Sequence, residues 1–195
     1  MKNAVILYAH PNPKSFSNAI KETVFDFLSK NGFNVEVVDL YSINFNPILS
    51  AKDFENIKQG TALEDVKKQQ EIISKSDLIV LVYPIWWYNM PAILKGYIDR
   101  VFSYGFAYVM EGDEIKGLLK GKKVVIFANF GGSEEEYKRD NFDKCLSKTF
   151  EEIFRFIGID FVKTKFFYSV PYVDDSTRKG YLVEVENTLK EMVGW

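Results

Sequence analysis

Cysteine is nearly missing from this sequence: Cys145 stands alone among 195 residues, so no internal disulfide can form, in keeping with a reducing compartment. Histidine is equally scarce. His10 has no second histidine and no cysteine close in sequence, so no metal site is expected. Long apolar runs are missing as well. Ala4–Ala9 is far short of the roughly 20 residues of a membrane-spanning helix and too short for the core of a signal peptide, so a cytoplasmic protein without membrane insertion is expected. There is no excess of basic charge: 25 Lys and Arg face 27 Asp and Glu, which leaves no surface suited to displacing counterions from nucleic acid. Neither a Rossmann nor a Walker glycine pattern occurs, which argues against a dinucleotide held in the Rossmann manner and against a nucleotide triphosphatase. Repeats, low-complexity tracts and Pro/Gly/Ser-rich linkers are absent too, so one domain over 1–195 is expected.

What is present is a globular composition, 47% hydrophobic and 27% charged, with a high aromatic share of 16%. A domain of this size buries roughly 70% of the surface of its unfolded chain, enough for one well-filled core. Rings in excess of that core, gathered in loops, would suit a flat conjugated ligand.

Strand-like runs alternate with helical ones from end to end. Ala4–Tyr8, Val35–Asp39, Leu78–Tyr83, Val124–Ala128 and Phe161–Phe167 read as strands, and two of them are continuously apolar, as buried parallel strands tend to be. Between them run amphipathic helices. The first follows Ser17, carries Ile20, Val24, Phe27 and Leu28, and closes at Gly32. The second has a capping box of Thr61 and Glu64 with the stripe Leu63, Val66, Gln70, Ile73. Pro91 announces the third, with Leu94, Ile98, Val101 and Phe102 on one side. A fourth carries Phe142, Cys145, Leu146, Thr149, Phe150, Ile153, Phe154 and Ile157 before Gly158, and a fifth runs through Tyr181, Leu182, Val185, Leu189 and Met192. Cys145 in that apolar stripe reads as a packed core thiol. The segment Ser42–Gly60 reads as irregular. Fivefold β-α alternation implies a doubly wound α/β fold, a five-stranded parallel sheet with helices on both faces.

Ligands in such sheets bind beyond the carboxyl ends of the strands, where the strand order reverses. Loops after the first, third and fourth strands would line the site. The first, His10–Asn18, combines a helix N-terminus with Lys14, Ser15, Ser17 and an asparagine, a good cradle for a phosphate dianion; alternatively Ser17 merely caps the helix and Ser15 supports the turn. His10 is either a hydrogen-bonding fixture or an anion contact. The second loop, Tyr83–Pro91, holds the consecutive rings Trp86, Trp87 and Tyr88, suited to a flat ligand, to a partner subunit, or to both. In the third, Asn129–Tyr137, Gly131 and Gly132 allow either close backbone approach to a ligand or a turn with positive φ, and Glu134–Glu136 reads as a solvated helix start.

These residues carry a resemblance. Tyr83–Phe102 with Gly105–Tyr108, Asp39–Pro47, the opening Ala9–Ser17, and Gly131-Gly132 followed by Tyr137 together resemble the NAD(P)H:quinone oxidoreductases, the DT-diaphorases and their bacterial relatives. The matches span about the first 140 residues in order. The resemblance implies a flavodoxin-like fold, a homodimer, NAD(P)H as reductant, and a bound flavin passing hydride to a quinone-like acceptor. Members use FAD or FMN, and the strongest match is to the FAD-using branch. Flavin phosphate contacts would map to His10, Ser15, Phe16 and Ser17, and the isoalloxazine to Pro84, Ile85, Trp86, Trp87, Tyr88, Asn129, Phe130, Gly131, Gly132 and Tyr137. Acceptor contacts would be Trp87, Tyr88 and, from the other subunit, Tyr108. Tyr137 matches the tyrosine that stabilises charge on the reduced flavin. Where better-known members have a histidine six residues later, this chain has Asp143, which cannot supply positive charge and is expected to point away from the ring. A one-electron carrier and a regulatory subunit of a membrane transport system are the alternative functions; the absence of a Thr-Gly-Asn-Thr-like loop and of a strongly acidic surface counts against the first.

Overall fold

The structure, a computed structural model, describes residues 2–193. In chain order its elements are β1 (Lys2–Tyr8), α1 (Phe16–Lys30), β2 (Phe33–Asp39), α2 (Ala51–Lys58), α3 (Glu64–Lys75), β3 (Leu78–Pro84), α4 (Ala92–Val101), β4 (Tyr108–Glu111), β5 (Glu114–Gly117), β6 (Lys123–Asn129), α5 (Glu134–Arg139), α6 (Phe142–Phe156), β7 (Phe161–Phe167) and α7 (Asp175–Val193). Five strands form one parallel sheet in the order β2-β1-β3-β6-β7. Every residue of β3 is buried, which requires cover on both faces and explains its uninterrupted apolar run.

Alternate residues of the strands feed two cores. Ile6, Tyr8, Val80, Val82, Val125 and Phe127 face α1 and α7, whose Ile20, Val24, Leu28, Val185 and Leu189 complete that layer. Val5, Leu7, Ile79, Leu81, Tyr83, Val124 and Ile126 face the other way, toward Val66 and Ile73 of α3, Leu94 and Tyr97 of α4, and Phe150 and Phe154 of α6. The chain moves from β1 out to β2 and returns past β1 to β3, so the order reverses between β1 and β3 and opens a crevice at their carboxyl ends.

Several local readings need correction. Ser42–Gly60 is not wholly irregular: Ser50 and Asp53 form a reciprocal capping box that starts α2. Thr61 and Glu64 form none. The N-cap of α3 is Leu63, without a side-chain cap, so Glu64 and Asp65 instead occupy the first turn, where acids favour the helix dipole. A short antiparallel hairpin, β4 with β5, follows α4 and had no counterpart in the hydrophobic pattern because it is mostly solvent-facing. Cys145 is exposed, not packed in the core. The buried line of α6 is the narrower i, i+4 row Leu146, Phe150, Phe154, which leaves Cys145 on the flank.

Arg100 of α4 binds the excursion before α3 to the body. Its guanidinium donates from Nε to Asp53 Oδ1 at 2.9 Å and from Nη1 to Asp65 Oδ2 at 2.6 Å and the Asn46 carbonyl at 2.8 Å. Burial alone would raise the Asp53 pKa, but the bonds from Ser50 and Arg100 and the Arg100 charge hold it below the usual carboxylate value. Beside this network Gly96 lets the chain pass over α4, since a Cβ there would lie 2.1 Å from the Pro47 carbonyl oxygen.

Candidate functional site

The reversal point carries a cavity of about 500 Å³ lined by His10, Lys14, Ser15, Phe16, Ser17, Pro84, Ile85, Trp86, Asn129, Phe130, Gly131, Val170, Pro171 and Arg178. Ten residues predicted for a cofactor thus meet at one place, from His10 to Ser17 after β1, Pro84 to Trp86 after β3, and Asn129 to Gly131 after β6. Trp87, Tyr88, Gly132 and Tyr137 stand beside this cavity, not in its wall, and Tyr108 lies elsewhere.

The first loop turns from β1 into α1. Ser15, not Ser17, is the N-cap: its Oγ accepts from the Asn18 amide at 3.1 Å and lies 3.2 Å from the Tyr8 hydroxyl. The next two amides, of Phe16 and Ser17, have no intrahelical acceptor, and the positive end of the dipole favours an anion here. Ser17 is buried and accepts from the Asn129 amide nitrogen at 2.8 Å, tying the first loop to the third. The Asn12 amide donates to His10 Nδ1 at 3.0 Å. That bond places the proton of neutral His10 on Nε2, leaving a donor for an anion. Burial lowers the His10 pKa, with the Asn12 contact acting the other way. The ring meets Trp86 edge-on, 5.7 Å between centroids.

The aromatic loop is a two-residue reversal. Trp86 and Asn89 exchange backbone hydrogen bonds of 2.9 and 3.1 Å, and between them Trp87 and Tyr88 have φ of 49° and 57°. Left-handed backbone at two bulky rings costs about 1–2 kcal/mol per residue, a cost that persists where function requires the geometry. Trp87 is 96% exposed and fills no core; it lines, with Trp86, Met90, Pro91 and Lys95, a second hollow of about 440 Å³. Tyr88 leans instead on Phe142 and Tyr137, at 4.9 and 5.6 Å.

The third loop supplies the opposite wall. Neither Gly131 nor Gly132 has positive φ, so the turn explanation fails for both. Gly132 leaves room for the side chains of α5, since a Cβ there would meet Glu136 Oε2 at 2.7 Å and Tyr137 Cε2 at 3.0 Å and make them shift, while Gly131 faces open space at the cavity. Ser133 and Glu136 form a capping box that begins the exposed α5, so Glu134–Glu136 is the solvated helix start the sequence suggested. Tyr137 lies 3.9 Å from Phe130 between ring centroids. Burial, then Tyr88 and Glu136, raise its pKa, so its hydroxyl stays protonated near neutral pH.

A fourth loop escaped the sequence analysis. After β7 the chain brings Val170 and Pro171 to the cavity, and Arg178 of α7 holds that loop by donating from Nη1 to the carbonyls of Val170 at 3.1 Å and Val173 at 2.6 Å. Tyr168 stacks almost parallel on Phe130, 5.1 Å apart at 7°, and donates from its hydroxyl to Asp143 Oδ2 at 3.4 Å. The available signal was the run Phe166-Phe167-Tyr168, which carries rings past the end of the strand.

Away from this site, an apolar groove of about 830 Å³ lies between α4 and α6. Tyr108 and Phe156 share it, 4.9 Å apart, with Cys145 on its wall. Among the described residues no helix is long and apolar enough to cross a membrane.

The chain is similar to known proteins in sequence and fold. Residues 2–189 match the family described as flavodoxin-like fold. A Haemophilus influenzae protein named an NAD(P)H oxidoreductase is 42% identical over 182 residues, covering 92% of this chain and 90% of its own. Human ribosyldihydronicotinamide dehydrogenase [quinone] is 35% identical over 155 residues, 71% of this chain and 67% of its own. The solved NAD(P)H:quinone oxidoreductase of Methanothermobacter marburgensis superposes with a TM-score of 0.86 at 32% identity, over 95% of this chain and 96% of its own. The chain belongs to the flavodoxin-like fold family and, within it, stands among the NAD(P)H:quinone oxidoreductases.

Proposed function

We propose that this chain, acting as one domain, is a cytoplasmic flavin-dependent NAD(P)H oxidoreductase that reduces a quinone or similar small acceptor by two electrons in a ping-pong cycle. The observation that carries the reading is the joining, in one cavity, of a helix N-terminus suited to phosphate and an aromatic, glycine-bordered wall suited to a flat ring. The cavity fits a flavin in its donor set as well: anion donors at His10, Lys14 and the α1 amides, and a buried open acceptor on Asn129. When bound, the flavin supplies the redox chemistry, taking hydride from NAD(P)H and giving electrons to the acceptor.

The residues have separate tasks. His10, Ser15, Phe16 and Ser17 with the first-turn amides of α1 hold the phosphate. Pro84, Ile85 and Trp86 form one side of the ring site and Asn129, Phe130 and Gly131 the other; Trp87 and Tyr88, with Gly132 and Tyr137, extend these two sides beyond the cavity wall. Tyr137 keeps its proton and can donate a hydrogen bond where negative charge develops, as can the Gly131 and Gly132 amides. Trp87 and Tyr88 offer flat surface to the acceptor, orienting it and excluding water.

A homodimer completes this reading. A second copy on the face formed by Ile93–Val101 of α4 and Gly105–Tyr108 would cover apolar surface and bring its own Tyr108 to the acceptor site. FAD is our reading for the flavin. Extraction of the chromophore from purified protein, with identification by mass and absorbance, tests the cofactor. A colourless protein that neither binds flavin nor oxidises NAD(P)H with added flavin would overturn the function.

A further inference from the structure

The groove of about 830 Å³ between α4 and α6 is larger than the cavity at the strand ends, and of its lining residues the proposed reaction uses only Tyr108. Its wall on α6 is a second stripe of that helix. Leu146, Phe150 and Phe154 are buried against the body of the protein, whereas Cys145, Lys148, Glu152 and Phe156 recur at three- and four-residue spacing along the groove. From Cys145 to Phe156 this stripe runs about 16 Å, at 1.5 Å per residue. It is polar at one end and apolar at the other. Cys145, Lys148 and Thr149 stand at the first; Ile153, Phe156 and Ile157 lie toward the second, where Tyr108 meets Phe156 edge-on at 4.9 Å.

The charges on the groove limit what can fill it. Asp99, Lys148 and Glu152 line it. Asp99 accepts from Lys95 at 2.5 Å and Glu152 from Arg155 at 2.9 Å, and neither of those cations belongs to the lining, so both acids are compensated from outside. Lys148 has no hydrogen bond or ion pair among the described residues. The charge left unmatched in the groove is therefore a single positive one, set at the polar end of an apolar trough. One ammonium suits a monoanion, and the apolar length beyond it suits a hydrocarbon chain leaving water. The volume falls within the roughly 300–1,000 Å³ of small-molecule sites. We propose that the groove between α4 and α6 binds a long-chain carboxylate, its head at Lys148 and its chain laid along Ile153 and Phe156 toward Tyr108. This site is separate from the cavity at the strand ends and does not depend on the flavin reading. Ile98 and Tyr108 also belong to the face given above to a second copy, so the experiment must separate the two occupants.

The test titrates the purified protein by calorimetry with decanoate, decanol and acetate, which are chain with carboxylate, chain without it, and carboxylate without chain. Decanoate should bind saturably, with decanol about fivefold weaker for the loss of one exposed ion pair and acetate more than about a hundredfold weaker for the loss of the buried chain. Lys148→Met keeps the apolar stem and removes the charge, so it should bring decanoate to the level of decanol and leave decanol unchanged. Lys148→Arg should restore the difference, and Phe156→Ala should weaken decanoate and decanol alike. Wild-type protein without saturable decanoate binding would overturn the proposal, as would Lys148→Met binding decanoate as tightly as the wild type. If decanoate does not bind and Phe156→Ala turns a dimer into a monomer in sedimentation, the groove belongs to a second copy and the proposal falls equally.

Discussion

Tyr137 lies against Phe130 with 3.9 Å between ring centroids, and Phe130 lies in turn flat on Tyr168, so the tyrosine at the site is positioned by aromatic contacts running back to β7. Asp143 is built into the far end of that chain. It is 9% exposed, accepts from Tyr168 and from the Lys144 amide, and therefore directs its carboxylate toward Tyr168 and its own helix. Tyr137→Phe removes the hydroxyl donor and should slow reduction of bound flavin about tenfold if one hydrogen bond of ~1.4 kcal/mol is lost from the transition state. Asp143→Asn keeps an acceptor for Tyr168 and should change that rate little. Stopped-flow reduction by NAD(P)H measures both, and the opposite pattern would reverse the assignment.

Trp87 combines positive φ with near-complete exposure. Trp87→Ala should weaken flavin or acceptor binding while leaving the backbone strain. Trp87→Gly should weaken binding similarly yet hold or raise stability, by no more than about 1 kcal/mol, because glycine relieves the left-handed conformation. Thermal melts alongside steady-state kinetics separate the two effects; unchanged flavin content and kinetics in both variants would remove Trp87 from the site.

In the proposed phosphate cradle, His10 is the group that titrates near neutral pH. Its folded pKa is lowered by burial, so the unfolded chain binds the proton more readily. Its contribution to stability is therefore present above the unfolded value of about 6.5 and is lost as pH falls through that value toward the lower folded pKa. A phosphate group that stays anionic across this range, as in FAD, favours the protonated imidazole beside it, so affinity for FAD should rise over the same fall in pH. His10→Gln should flatten the affinity profile, and an unchanged profile would place His10 away from the phosphate.

Arg100 is a buried charge facing two carboxylates, Asp53 and Asp65. Arg100→Leu would leave Asp53 buried without its cation and should cost about 3–5 kcal/mol. Asp65→Asn, at the exposed end, should cost much less. Urea unfolding of the two variants checks the order.

The proposed dimer makes Tyr108 part of an acceptor site it cannot reach in its own chain, where it lies with Phe156 in the groove between α4 and α6. Tyr108→Ala should raise the KM for the acceptor while leaving flavin content unchanged. Sedimentation showing a fully active monomer at assay concentration would defeat this arrangement.

The sequence by itself determined the layered fold and the strand ends at which the cavity opens. Apolar runs such as Leu78–Tyr83 need cover on both faces, and five-fold alternation with helices admits few other topologies. It also located the three loops, because a run of rings such as Trp86–Tyr88 has no place in a core. Only tertiary structure decided the rest. The N-cap of α1 is Ser15 and not Ser17, whose hydroxyl instead accepts from Asn129, 112 residues away in sequence. The exposure of Cys145, the burial of Arg100 and the contribution of Tyr168 and Arg178 likewise depend on which helix face meets which neighbour. Periodicity gives a helix its apolar stripe, but side-chain partners across the sheet are set by packing between segments distant in the chain, which no local pattern encodes.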